Sequence, residues 1–224
     1  MKTIVALLSA VALTTSITQG QNLLLNGDFN SPSSVAAPDN WSIWTFGGGY
    51  ANHEILTTTL INGTHNNTGN YDNSYQMTVG AASSSGGGGV YQIVPGTAGL
   101  TYDLNVDAGA QAWWLPTGQI RLFFLDATST QLGLTQINTT DSIHSPDQYD
   151  VGVAYQHYSI LNAVAPVGTT QVKVEFAGYG GGSAWFDNAV LTVVPEPSTL
   201  GLVACGAALL LGRNLRSRRN AARG

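Results

Sequence analysis

The sequence predicts an all-β sandwich or barrel set between two targeting segments. Across the middle of the chain, short runs rich in β-branched and aromatic residues alternate with clusters of Gly, Asn, Ser and Thr. Apolar residues within those runs recur with period two, and long segments of helical period are absent. Both ends depart from this pattern, each setting an apolar run beside positive charge.

The N-terminus reads MKTIVALLSAVALTTSITQG. One cation, Lys2, precedes an apolar core from Ile4 to Leu13, and small and polar residues follow. That order is the layout of a secretory signal, so residues 1–20 are expected to be a signal peptide cut after Gly20. An uncleaved anchor or a buried helix is the alternative, but the apolar core is short for a bilayer crossing.

The body, residues 21–194, is long enough for one domain with a substantial core. Its only cations are Arg121 and Lys173, against twelve acidic residues, a formal charge of −10 with histidines neutral. This balance argues against nucleic acid and anionic membrane surfaces as partners, and it is compatible with neutral sugars or divalent cations. The single cysteine, Cys205, lies in the tail. No disulfide can staple the body, so its stability must come from a β core, with or without a metal ion.

LTYDLNVDA is the clearest strand: Leu100, Tyr102, Leu104 and Val106 share one face, and Thr101, Asp103, Asn105 and Asp107 the other. QVKVEFA repeats the pattern with Val172, Val174 and Phe176 inward. QIRLFFLDA is apolar on both faces and reads as a central strand. Further strands are expected at VYQIV, HYSILNAV and AWFDNAVLTV. SPSSVAAPDN, INGTHNNTGNYDN and GAASSSGGGG read as loops; the last lacks the Gly-Lys-Ser/Thr ending of a phosphate-binding loop.

The tail, residues 195–224, starts with Pro195-Glu196-Pro197. An uncharged apolar run follows, 199–212, and then Arg213, Arg216, Arg218, Arg219 and Arg223. As a helix the run would reach about 21 Å, against a hydrocarbon core of about 30 Å. The arginines would stay cytoplasmic under the positive-inside rule, leaving the body outside. This order of features resembles the PEP-CTERM sorting signal of Gram-negative bacteria. The resemblance implies recognition by an exosortase-type membrane protease, transient membrane insertion through the helix, and processing near Pro195, Glu196 and Pro197. It also implies passage through the inner membrane to the cell surface or extracellular matrix, in company with extracellular polysaccharide.

A second resemblance spans the body. NLLLNGDFNSP followed by NWSIW, then GVYQIVPGTAGLTYDLNVDAG, then APVGTTQVKVEFAGYGGGSAWFDNAVLTV resemble carbohydrate-binding modules of the family 4/9 type. The resemblance implies a galactose-binding-like jelly-roll β-sandwich. It also implies a structural calcium linking the N-terminal segment to the last strand, with Asp28, Asn30 and Asp187 as candidate ligands. Asn30 stands where an acid is common in that family, which removes charge from the set. Asp28 in a local Asx-turn and Asp187 satisfying a backbone group are the alternative roles.

A sugar site pairs an exposed Trp or Tyr with convergent polar groups. If the strand through Asp107 continues without a bulge, Asp107, Gln111 and Trp113 lie on one side, with Arg121 as a candidate partner. The alternative places Trp113 at the sandwich edge and pairs Arg121 with an acid. Trp41, Trp44 and Trp185 read as core or sheet-edge aromatics. The histidines His53, His65, His144 and His157 show no metal-binding spacing, and no nucleophile elbow occurs. The chain therefore reads as a noncatalytic, exported protein that binds extracellular carbohydrate. A structural or adhesive matrix protein without a sugar pocket is the first alternative. A polysaccharide hydrolase, which needs two suitably spaced carboxylates, is the second.

Overall fold

The computed structural model describes residues 20–31, 37–55, 75–81, 84–139 and 156–194. Residues 22–194 form one compact unit. The signal segment 1–19 and the tail 195–224, with Pro195, Glu196 and Pro197, lie outside the described residues. Among the described residues no helix is long and apolar enough to cross a membrane.

The described residues of the unit are all β. Among them eight strands follow in order: β1 (Ser42–Phe46), β2 (Gly49–Ile55), β3 (Tyr75–Ala81), β4 (Gly87–Pro95), β5 (Thr101–Leu125), β6 (Gln131–Asn138), β7 (Gln156–Val164) and β8 (Gln171–Val194). All their pairings are antiparallel. The long strands β5 and β8 pair with each other almost end to end. Shorter strands flank different halves of this ribbon. β4 pairs with Gln171–Tyr179 of β8, and β6 with Gln119–Leu125 of β5. β3 pairs with Gly181–Phe186 of β8, and β7 with Thr101–Ala108 of β5. β1 extends the first layer beyond β4, and β2 extends the second beyond β3.

The two halves of the ribbon fold onto each other. Phe176 and Phe186 lie on the same strand, and ten extended residues would span about 33 Å. Their ring centroids are 4.9 Å apart and the rings stack. β8 therefore doubles back between them, which makes two five-stranded layers that share β5 and β8. The bend falls on GYGGG, where Gly180 and Gly182 have φ of 79° and 147°. On β5 the matching stretch carries two register shifts, between Ala112 and Trp114 and between Trp114 and Thr117. Pro116 sits in the second, one of the few places a strand tolerates proline. LTYDLNVDA and QIRLFFLDA are thus the two ends of one strand, as are QVKVEFA and AWFDNAVLTV. This is the jelly-roll β-sandwich expected from the sequence.

The inward faces are those the alternation foretold. Tyr102, Leu104, Val106, Ile120, Leu122 and Phe176 are all buried in one core cluster. QIRLFFLDA is central, flanked by β6 and β8. One expectation is corrected: of the supposed loop GAASSSGGGG, Gly80 and Ala81 belong to strand β3, and Gly87, Gly88 and Gly89 to strand β4. The reason lies outside the segment. A side chain on Gly89 would meet the indole of Trp44 at 2.6 Å, and one on Gly87 would meet Phe46 and Tyr179 at 2.9 Å.

The N-terminal segment NLLLNGDF is laced to the sandwich rather than paired as a strand. The Leu23 N–H donates to Leu191 O at 2.8 Å, and the Ala189 N–H to Gly27 O at 2.8 Å. The buried Gln92 side chain of β4 accepts from Leu25 N–H at 2.8 Å and donates to Leu25 O at 2.9 Å. Trp41 Nε1 donates to Asn26 O at 3.0 Å, and His53 Nε2 lies 2.7 Å from Phe29 O. Phe29 itself is fully buried between Trp41 and Phe176.

Candidate functional site

The outer face of the layer β1–β4–β8–β5–β6 sets an aromatic cluster beside a network of charged side chains. Strand pleating turns alternate residues outward. Register then sets Trp44, Gly89 and Ala177 in one row, and Phe46, Gly87 and Tyr179 in the next. The Trp44 and Phe46 rings stack with centroids 6.0 Å apart. Tyr179 lies 5.8 Å from Trp44 and 6.2 Å from Phe46. Because glycine leaves the floor empty, Trp44 covers Gly89 across the sheet. Phe46 is 49% exposed, while Trp44 and Tyr179 are half-buried. Three rings thus form a shallow aromatic platform.

A polar network abuts the platform. The Arg121 guanidinium lies 5.1 Å from the Tyr179 ring centroid. Its Nη1 donates to Glu175 Oε1 at 2.8 Å, its Nε to Gln136 Oε1 at 3.1 Å, and its Nη2 to Gln119 Oε1. Gln136 donates in turn to Asn138 Oδ1 at 2.8 Å. Lys173 Nζ donates to the other Glu175 oxygen at 2.6 Å and lies over the rings of Tyr91 and Phe123, at 4.5 and 4.9 Å. The Glu175 side chain is only 5% exposed. A buried carboxylate persists when paired and hydrogen-bonded, and here both oxygens are occupied.

The structure divides the four residues that the sequence grouped as a sugar site. Arg121 lies on this face. Asp107 lies on the outer face of the opposite layer, because the bend in β5 separates them. Asp107 Oδ1 is 2.9 Å from His157 Nδ1, and its Oδ2 accepts from Asn188 Nδ2 at 3.1 Å. Gln111 pairs with Ser183 in that second layer, and Trp113 falls within the register shift after Ala112. The condition for a common face, a strand without a bulge, is therefore not met. The side chains of Gln111 and Trp113 lie outside the described residues. The carboxylate facing Arg121 is Glu175, which the sequence reading had not singled out.

The metal candidates lie near the N-terminal segment. Asp28 accepts from Asn30 through its backbone N–H at 3.4 Å and its side-chain amide at 3.2 Å. Asp28 also lines a cleft of 360 Å³ with Asn22, Asn26 and Asn188. The Asp187 Oδ1 accepts from the Asn188 N–H at 2.7 Å. Among the described residues no three His, Cys, Asp or Glu side chains gather as a metal group. A calcium ion would need Asp28 and Asn30 to be joined by several backbone or water oxygens.

The platform residues were missed because each was read within its own segment. SIWTF shows a W-x-F alternation, and QVKVEFAGY shows K-x-E-x-x-x-Y. Setting both against the glycine run of β4 is the signal that could have joined them.

The sequence matches no protein-family profile and no curated protein. In fold it is similar to the enzymatically active domain of bacteriophage CBA120 tailspike protein 4, with 15% identity and a TM-score of 0.54. That match covers 77% of this chain and 21% of the tailspike chain, so this chain spans about a fifth of its length. It is also similar to the CBM22-1 xylan-binding domain of Paenibacillus barcinonensis Xyn10C, with 9% identity, a TM-score of 0.47 and coverage of 79% and 97%. A third likeness is to TmCBM61 in complex with β-1,4-galactotriose, with 14% identity, a TM-score of 0.44 and coverage of 78% and 100%.

Proposed function

We propose that this protein is an exported, noncatalytic glycan-binding module. Its binding surface is the outer face of the layer β1–β4–β8–β5–β6. The observation that carries this reading is the platform of Trp44, Phe46 and Tyr179 over Gly87 and Gly89, beside the network around Arg121. Sugar rings present apolar C–H faces to aromatic rings and hydroxyls to amides and charged groups, and this face offers both side by side. The noncatalytic reading rests on Glu175. It is the one carboxylate in the five strand segments of this layer, and both its oxygens are held by cations. Hydrolysis by a carboxylate pair needs a free acid and a second carboxylate about 5–10 Å away.

A glycan array that includes xylan and β-1,4-galactan, probed with the full chain and with Trp44→Ala, tests the reading. Binding by the unaltered protein and loss in the variant is the expected result. No bound glycan, or equal binding by both, overturns it.

Export and sorting complete the proposal, supported by the order of features in 1–20 and 195–224. An exosortase-type protease would process the tail near Pro195, Glu196 and Pro197. The intact mass of the exported protein checks this, and a mature chain retaining Arg213–Gly224 contradicts it. A structural calcium with Asp28, Asn30 and Asp187 as its candidate ligands belongs to the same proposal, supported by the adjacency of Asp28 and Asn30. Calcium binding only the folded state would raise the unfolding midpoint and EDTA would lower it. An unmoved midpoint removes calcium from the account.

A further inference from the structure

Arg121 and Lys173 are the only cations in residues 21–194, a stretch with twelve carboxylates. The fold brings both to one face, on the two central strands of the same layer, with Glu175 between them. In the strand segments 42–46, 87–95, 119–125, 131–138 and 171–179 the charged residues are these three alone. Those strand segments therefore carry a formal charge of +1 on a body of −10. One cation suffices to neutralise a buried carboxylate. The second is surplus to that task.

The donors are not used up either. The ammonium of Lys173 has three N–H groups and gives one to Glu175, with aromatic rings beneath it. The guanidinium of Arg121 has five, and three of its bonds are to Glu175, Gln136 and Gln119. The two side chains remain 17% and 22% exposed. A wholly neutral ligand laid over them would offer hydroxyl oxygens to their N–H groups but no counter-charge for the surplus cation. An anionic one would supply that counter-charge through charge-assisted hydrogen bonds.

We propose that the glycan bound here carries an anionic substituent, a uronate carboxylate or a sulfate ester, seated at Arg121 and Lys173 while a sugar ring stacks on Trp44 and Tyr179. This rests on the glycan-binding reading above and narrows it to acidic polysaccharide. The long-range repulsion from the acidic body does not forbid it, because charges beyond about 8 Å are largely screened at physiological salt.

Dissociation constants of the full chain for matched pairs test the proposal: polygalacturonate against its carboxyl-reduced form, and dextran sulfate against dextran. Xylan and β-1,4-galactan serve as further neutral chains. At least one anionic chain should bind about tenfold tighter than its neutral counterpart. Which pair shows the difference separates carboxylate from sulfate. Lys173→Gln, which leaves the Arg121–Glu175 pair in place, should abolish that preference, and Lys173→Arg should keep it. Equal binding of charged and neutral partners overturns the anionic proposal and leaves the glycan reading standing. Binding to none of them overturns both. A preference that survives Lys173→Gln also overturns the assignment. Should that variant fail to fold, the matched pairs on the unaltered protein still decide.

Discussion

Phe176 and Phe186 sit ten positions apart on one strand, yet their rings stack with centroids 4.9 Å apart. This contact joins the two layers through a single element. Both rings are fully buried, and Phe176 also meets Trp41 and Phe29. Phe186→Ala should leave a cavity between the layers and cost about 3–5 kcal/mol of folding stability. Urea unfolding measures it. A loss below about 1 kcal/mol would mean that the layers are held together elsewhere.

The N-terminal segment hangs on a side chain that imitates a strand. Gln92 both accepts from and donates to the backbone of Leu25 and donates to Asn40 O at 3.1 Å. Gln92→Ala strands those partly buried groups, so it should destabilise by about 1–3 kcal/mol. Amide exchange should rise first at Leu25. Unchanged protection there would show that Trp41 and His53 hold the segment without Gln92.

How much of this was legible follows from the range of each signal. The alternation in LTYDLNVDA and QVKVEFA marked which residues are buried, because pleating is a local property. It could not say that β5 and β8 each cross from one layer to the other. Asp107 and Arg121 keep the same parity and face opposite sides of the molecule for that reason. The glycine run 86–89 failed for a different cause. Glycine weakens a strand on its own, so local propensity spoke for a loop. The rings that need those glycines lie on Trp44, Phe46 and Tyr179, far away in sequence. The acid partner of Arg121 was equally remote, since Glu175 reaches it only through the β5–β8 register.

The turn between β5 and β6 supplies a pH prediction. The hydroxyl of Thr128 and the N–H of Thr130 both donate to Asp126 Oδ1, at 2.7 and 2.9 Å. Those two bonds are the main reason its carboxyl is held below the ordinary value of 3.8; slight desolvation opposes them, and the Thr128 N–H adds to them. A folded pKa below the unfolded one means the ionised turn contributes stability above the unfolded value. That contribution is lost as pH falls through the folded pKa. In an NMR titration Asp126 should therefore titrate below 3.8, and Thr128→Ala should move it upward. A titration at or above 3.8 in the unaltered protein would show that the turn does not favour the carboxylate.

Gly89 offers a way to disturb the platform without touching the charges. A methyl group there would stand 2.6 Å from the Trp44 ring carbons and 2.7 Å from Nε1. Such contacts force the indole off the sheet, while the inward neighbours Val90 and Phe176 keep their packing. Gly89→Ala should shift tryptophan emission and weaken glycan binding by about tenfold, because a displaced ring no longer presents a stacking face. The cost to stability should be about 1–3 kcal/mol, the usual range for overpacking. Arg121, Lys173 and Glu175 are left in place, so any preference for anionic over neutral chains should survive in proportion. A variant with displaced Trp44 and undiminished affinity would take the aromatic platform out of the binding site and leave recognition to the polar network.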